Sequence, residues 1–203
     1  GPYVYAHYRE EQERICRVHD MLNLLIFGFF CVLVMLEDIV FIIFPDKRGC
    51  LAIFPLLMLA VVFNILCEGT VYGNSIARKP WHDTIGIGLG ALSNLGLCAW
   101  LVPAFGLTGA ALALAASNGL AFLYRSVTGQ MYYRTVASYS KTISGFLLAF
   151  AVTAIGTLLW QHFFMKFALV GVILFIYCTL YRAQLTKLWA MGMGILRSIF
   201  HKK

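Results

Sequence analysis

The chain has 203 residues, of which 61% are apolar or aromatic and only 12% are charged, and its mean hydropathy is +0.80. A soluble domain holds about 45–50% apolar and about 25% charged residues, so this composition excludes a soluble globular domain, a disordered chain and a disulfide-stapled module, and requires lipid as solvent. The net charge of +7, from 16 Lys and Arg against 9 Asp and Glu, reads here as loops beside anionic lipid head groups; no basic stripe falls on a water-facing region, and nucleic acid is not an expected partner.

Gly1-Pro2 reads as a protease scar or the start of a fragment, and no signal peptide follows it. A hydrocarbon core about 30 Å thick needs roughly 20 apolar residues in a helix. Six runs meet or approach that length: 21–44, 51–72, 84–102, 108–124, 143–160 and 163–181. None alternates as barrel strands do, and helices satisfy their own backbone in lipid. The expected fold class is therefore all-α, a polytopic transmembrane helix bundle of six spans.

Turn residues separate the runs. Pro45-Asp46-Lys47-Arg48-Gly49 follows the first, Ala77-Arg78-Lys79-Pro80 the second, and Pro103-Ala104-Phe105-Gly106 makes a very short turn after the third. The stretch 125–141 is expected as a longer, tyrosine-rich loop. Lys166, near the start of the last run, is expected to snorkel its ammonium to the interface. If the N-terminus is cytoplasmic, thirteen Lys and Arg fall on that side and three (Lys47, Arg48, Lys166) on the other, so both ends are placed in the cytoplasm. Residues 1–182 then form one transmembrane lobe. Leu185, Leu188, Trp189, Ile195, Leu196 and Ile199 recur at helical spacing beside Lys187, Arg197, Lys202 and Lys203, so 183–203 reads as an amphipathic, basic helix on the cytoplasmic leaflet.

Ionisable residues inside a span are candidates for function by default. Glu37 and Asp38 lie late in the first run and read either as interface anchors or as part of a cavity. Asn64, Glu68 and Tyr72 recur at every fourth residue and share one helix face; that stripe is either a helix–helix hydrogen-bonding seam or the wall of a cavity, with Glu68 as a coupling site. Small residues at Gly69/Gly73/Ala77, Gly86/Gly90 and Ala111/Ala115/Gly119 allow helices to approach closely. Ser93-Asn94, Ser117-Asn118 and Thr153/Thr157/Gln161 are polar points on apolar helices. Arg78, Lys79, Arg125 and Arg134 are cations near the proposed cytoplasmic mouth, as topology determinants or as phosphate ligands.

Catalytic readings find no support. No CxxC, HExxH or phosphate-binding loop occurs. Ser144-Gly145 lacks the preceding glycine of a nucleophile elbow, and Glu10-Glu11-Gln12-Glu13-Arg14 lacks histidines at helix depth. The six cysteines read as buried free thiols. Neither an enzyme nor a metal site nor a bound cofactor is expected.

The segment 95–113, LGLCAWLVPAFGLTGAALA, follows Asn94 and places Pro103 before a G-x-x-G-A-A opening of the next helix. This order resembles polysaccharide transporters of the MOP superfamily, the Wzx-type flippases of lipid-linked oligosaccharides. Residues 39–44 with 45–49 resemble the outer loop after the family's ninth helix, 53–59 with Pro55 the start of its tenth, and 74–79 the exit of that helix. Members have twelve or fourteen helices in two lobes. The resemblance therefore implies the C-terminal lobe, with the N-terminal lobe missing. It further implies translocation of an undecaprenyl-diphosphate-linked oligosaccharide across a bacterial inner membrane by alternating access, coupled to H+ or Na+, with Asn64, Glu68, Tyr72, Asn94 and Asn118 lining the lobe. A multidrug antiporter of the same superfamily and a non-transporting scaffold of glycan assembly are the alternatives.

Overall fold

The computed structural model describes residues 12–136 and 139–186; most of the expected amphipathic tail lies outside the described residues. The elements are α1 (Gln12–Ile43), a 3-10 helix (Pro45–Ile53), α2 (Phe54–Thr70), α3 (Tyr72–Ile76), α4 (Trp81–Tyr132), α5 (Tyr139–Leu158) and α6 (Phe163–Leu180). Among the described residues there is no strand. Five stretches are long and apolar enough to cross a membrane, and the chain is a multi-pass, all-α membrane protein.

The longest of these is two helices. Gly106 adopts φ +56° and ψ −130°, which breaks the helical path inside the 52 residues of α4. Contacts then march outward from that point. A Cβ on Gly109 would meet the Leu101 carbonyl, one on Gly90 would meet Ala121, one on Gly86 would meet Arg125, and His82 reaches Tyr132. These pairs describe an antiparallel hairpin, α4a before Gly106 and α4b after it. A φ of this sign is open to glycine and strained for other residues, which is why the chain can reverse at this one residue. The residues expected as a loop from Arg125 onward remain helical to Tyr132. Polar groups of α2 and α3 hold them there: Thr70 and Ser126 hydroxyls lie 2.6 Å apart, and Gly129 sits so close to the Thr70 carbonyl that a side chain would not fit.

Helix α2 is the centre of the bundle, packed between α1, α4 and α5. Pro55 stands in its first turn, where no amide hydrogen is needed. Its Phe63 ring stacks on Phe146 at 5.8 Å and tilts toward Phe122 at 5.8 Å, while Phe27 meets Phe146 edge-on at 5.3 Å. Small residues receive these rings: Gly119 faces Phe63, Gly145 faces Phe27, and Gly156 faces Pro55 and Val34. Lipid offers no hydrophobic driving force between helices, so close packing of large against small supplies the cohesion.

Two ends can be distinguished. The basic end carries Arg14, Arg17, Arg78, Lys79, Arg125 and Lys141; the opposite end carries the 3-10 helix and the turns at Gly106 and at 159–162. Lys166 does not snorkel at that opposite end. Its side chain is fully buried and ion-paired with Glu37 at 2.6 Å and with Asp38. The two acids on α1 supply its charge partners inside the protein, so the ammonium has no reason to reach for the interface.

Candidate functional site

At the basic end, α2, α3 and both arms of α4 converge on a polar cluster. Arg125 on α4b is its centre, with a side chain 12% exposed. The Arg125 Nε lies 3.7 Å from Asp83 Oδ1, and its Nη2 lies 3.9 Å from Glu68 Oε1. Asp83 also accepts a 2.7 Å hydrogen bond from the Asn74 amide, which donates at 3.2 Å to the Thr128 hydroxyl. Beside them His82 is hydrogen-bonded to Tyr124 and Tyr132 at 3.3 Å each, and the Lys79 ammonium lies 4.8 Å from the Tyr132 ring centre. The approach of α3 that makes this possible runs over Gly73, which touches the Gly129 carbonyl of α4b with no room for a Cβ.

The residues singled out from sequence fall in different places. Glu68 and Arg125 come together. Glu68, two residues before the end of α2, has a side chain 77% exposed. Asn64 is exposed on the same helix and donates to the Ala60 carbonyl at 3.2 Å. Tyr72 is half-buried and does not continue that helix, because a break at Val71 separates α2 from α3. Arg78 is exposed, in a left-handed conformation with φ 56°. Asn94 accepts the Cys98 thiol at 3.6 Å; the hairpin sets it level with Ser117 and half-buried Asn118, in the middle of the bundle and away from the Arg125 cluster. Several expected interhelix polar points bond within their own helix instead: Ser93 to the Gly90 carbonyl, Ser117 to that of Leu114 and Thr153 to that of Ala149. A hydroxyl can reach a carbonyl three or four residues back, and in lipid that local bond is always at hand.

A second polar cluster joins α1, α5 and α6 at the same end. Lys141 pairs with Asp20 at 3.3 Å, His19 bonds Asn23 at 3.3 Å, and Ser144 bonds the Tyr181 hydroxyl. Between α2, α4b and α5 runs an apolar cavity of about 740 Å³, lined from Thr108, Leu112 and Thr157 through Phe63 and Gly119 to Leu123 and Phe146. Leu112, Leu120, Leu123 and Phe150 on its rim are exposed, so it opens sideways toward lipid.

No protein-family model, no curated protein and no solved structure matches this chain. Among the described residues no three His, Cys, Asp or Glu gather where a metal ion would sit. The Arg125 cluster offers hydrogen-bond donors and charges of both signs. Sequence reasoning missed Asp83, Asn74, Thr128 and His82. Asp83 carried a signal, since an acid at the first turn of a helix beside a basic segment favours the helix dipole; Asn74 carried none beyond its small-residue neighbours. Lys166 with Glu37 and Asp38 was also legible in part, as opposite charges near the same end of two spans.

Proposed function

We propose that this chain is the C-terminal lobe of a two-lobed membrane transporter that moves a lipid-linked oligosaccharide across a bacterial inner membrane by alternating access. Both ends would be cytoplasmic, with H+ or Na+ coupling and an N-terminal lobe completing the cavity. The observation that carries the reading is the exposed Asn64–Glu68 stripe. Glu68 is 77% exposed beside Arg125, 3.9 Å away, and an ionisable group on a membrane-spanning helix faces protein or water in preference to lipid. A water-filled cavity between two lobes accommodates it. The lateral apolar cavity of about 740 Å³ has the shape and lining to take a polyprenyl tail, and exposed Arg78 at the basic end is a ligand for the diphosphate.

The test is a flipping assay on the full-length parent reconstituted in vesicles. Glu68→Ala is expected to slow flipping about tenfold, equivalent to about 1.4 kcal/mol, at unchanged expression. An unchanged rate removes Glu68 from the mechanism. An exposed acid also suits a cationic substrate, which favours the multidrug antiporter as second reading. Efflux of a cationic dye that depends on Glu68, with no flipping, would select it.

A further inference from the structure

We propose that Glu37, Asp38 and Lys166 form a proton-binding site, in which the two carboxyls facing the ammonium together hold one proton. The inference rests on burial and charge count and is independent of the transport reading. The side chains of Glu37 and Lys166 are fully buried, and that of Asp38 is 17% exposed. Lys166 Nζ lies 2.6 Å from Glu37 Oε1 and also pairs with Asp38. With both acids ionised, one negative charge would remain uncompensated in a largely buried place, an arrangement proteins tolerate only at a high cost. Glu37 Oε2 is buried with no hydrogen-bond partner among the described residues, so nothing solvates that charge on the side away from the ammonium.

No other group on the packed elements makes up the difference. The neighbouring parts of α2 and α5, 54–66 and 143–158, contain no titratable residue. The 3-10 helix carries exposed Asp46, Lys47 and Arg48 and half-buried Cys50, and the turn before α6 carries exposed His162. A proton fits where a metal cation does not. The ammonium already occupies the cationic position between the carboxyls, and a second fixed cation beside it is repelled. A proton becomes part of a carboxyl and leaves the triad neutral. Two carboxyls this close titrate as a unit, so the proton belongs to the pair. Its loss leaves a net charge that only entering water can solvate, which favours parting of α1 from α6 at this end.

Infrared difference spectroscopy of the full-length protein in lipid nanodiscs, recorded through a pH titration, reads the C=O stretch of a protonated carboxyl. A band from the triad is expected at neutral pH and is expected to vanish in alkali. Glu37→Gln and Asp38→Asn each remove the excess charge, so each is expected to fold and to abolish the band. Lys166→Met leaves two carboxyls and no ammonium, and is expected to raise the band on the order of twofold. Three results overturn the site: no such band in the wild type, a band of unchanged amplitude in both carboxamide variants, or a band that sodium displaces at constant pH. If one carboxamide variant fails to give monodisperse protein, the other and the wild-type titration decide alone.

Discussion

Lys166 makes the strongest single-residue claim on this fold. Removing one member of a buried charge group leaves its partners unpaired, typically at a cost of about 3–5 kcal/mol. Lys166→Met is therefore expected to destabilise the protein by about that amount, measured by denaturation in detergent micelles. Adding Glu37→Gln removes one stranded acid and is expected to recover a good part of the loss; additivity of the two changes would mean that they do not interact. The sequence showed three charges near one end of two spans, but it did not show that α6 turns Lys166 inward. That depends on the register of α6 against α1, where Lys166, Val170 and Tyr177 form the buried stripe. Nothing in a helix as uniformly apolar as FFMKFALVGVILFIYCTL marks one face for the interior.

At the scale of elements, hydropathy located the helices well and their breaks less well. Each apolar run overlaps an observed helix, because length and composition go far in deciding what crosses a bilayer, but the run 51–72 crosses the 3-10 helix and the break at Val71, and 143–160 overruns α5 into the turn. The helical stretch 125–132 was missed because its stability comes from tertiary partners, Thr70 and the close passage of Gly73 over Gly129, and not from local propensity. Glycines at two places carry different burdens. At Gly106 a Cβ meets nothing within 4 Å, so only backbone strain opposes Gly106→Ala, an expected loss of about 1–3 kcal/mol. At Gly73 a Cβ would strike backbone, so Gly73→Ala is expected to cost about 1–3 kcal/mol through overpacking and to push α3 from α4b. The two sites lie at opposite ends of the bundle, and the double variant is expected to show the sum in thermal unfolding.

For the whole molecule, the charge bias predicts an orientation that labelling can check. With the native cysteines replaced, Lys47→Cys is expected to react with a membrane-impermeant maleimide on intact cells, and Lys79→Cys only after permeabilisation. The opposite pattern inverts the proposed topology. Both lysines are exposed, so a lack of reaction would not come from burial. The candidate site was only half legible at this scale. Glu68 and Arg125 could be picked out as charges in or near apolar runs. Their meeting could not, because it requires α2 and α4b to cross at that level, and the polar neighbours that complete the cluster arrive on α3 and α4a.

The triad also has a history within each molecule's synthesis. Glu37 and Lys166 are 129 residues apart, and at typical rates of elongation roughly 6 to 26 s separate their emergence from the ribosome. For that interval the acids of α1 lack their counter-ion. A nascent chain that stops before α6 therefore lacks the cation that compensates Glu37 and Asp38. Arrival of α6 supplies it, so the charge balance of α1 is settled only when a helix made much later docks against it.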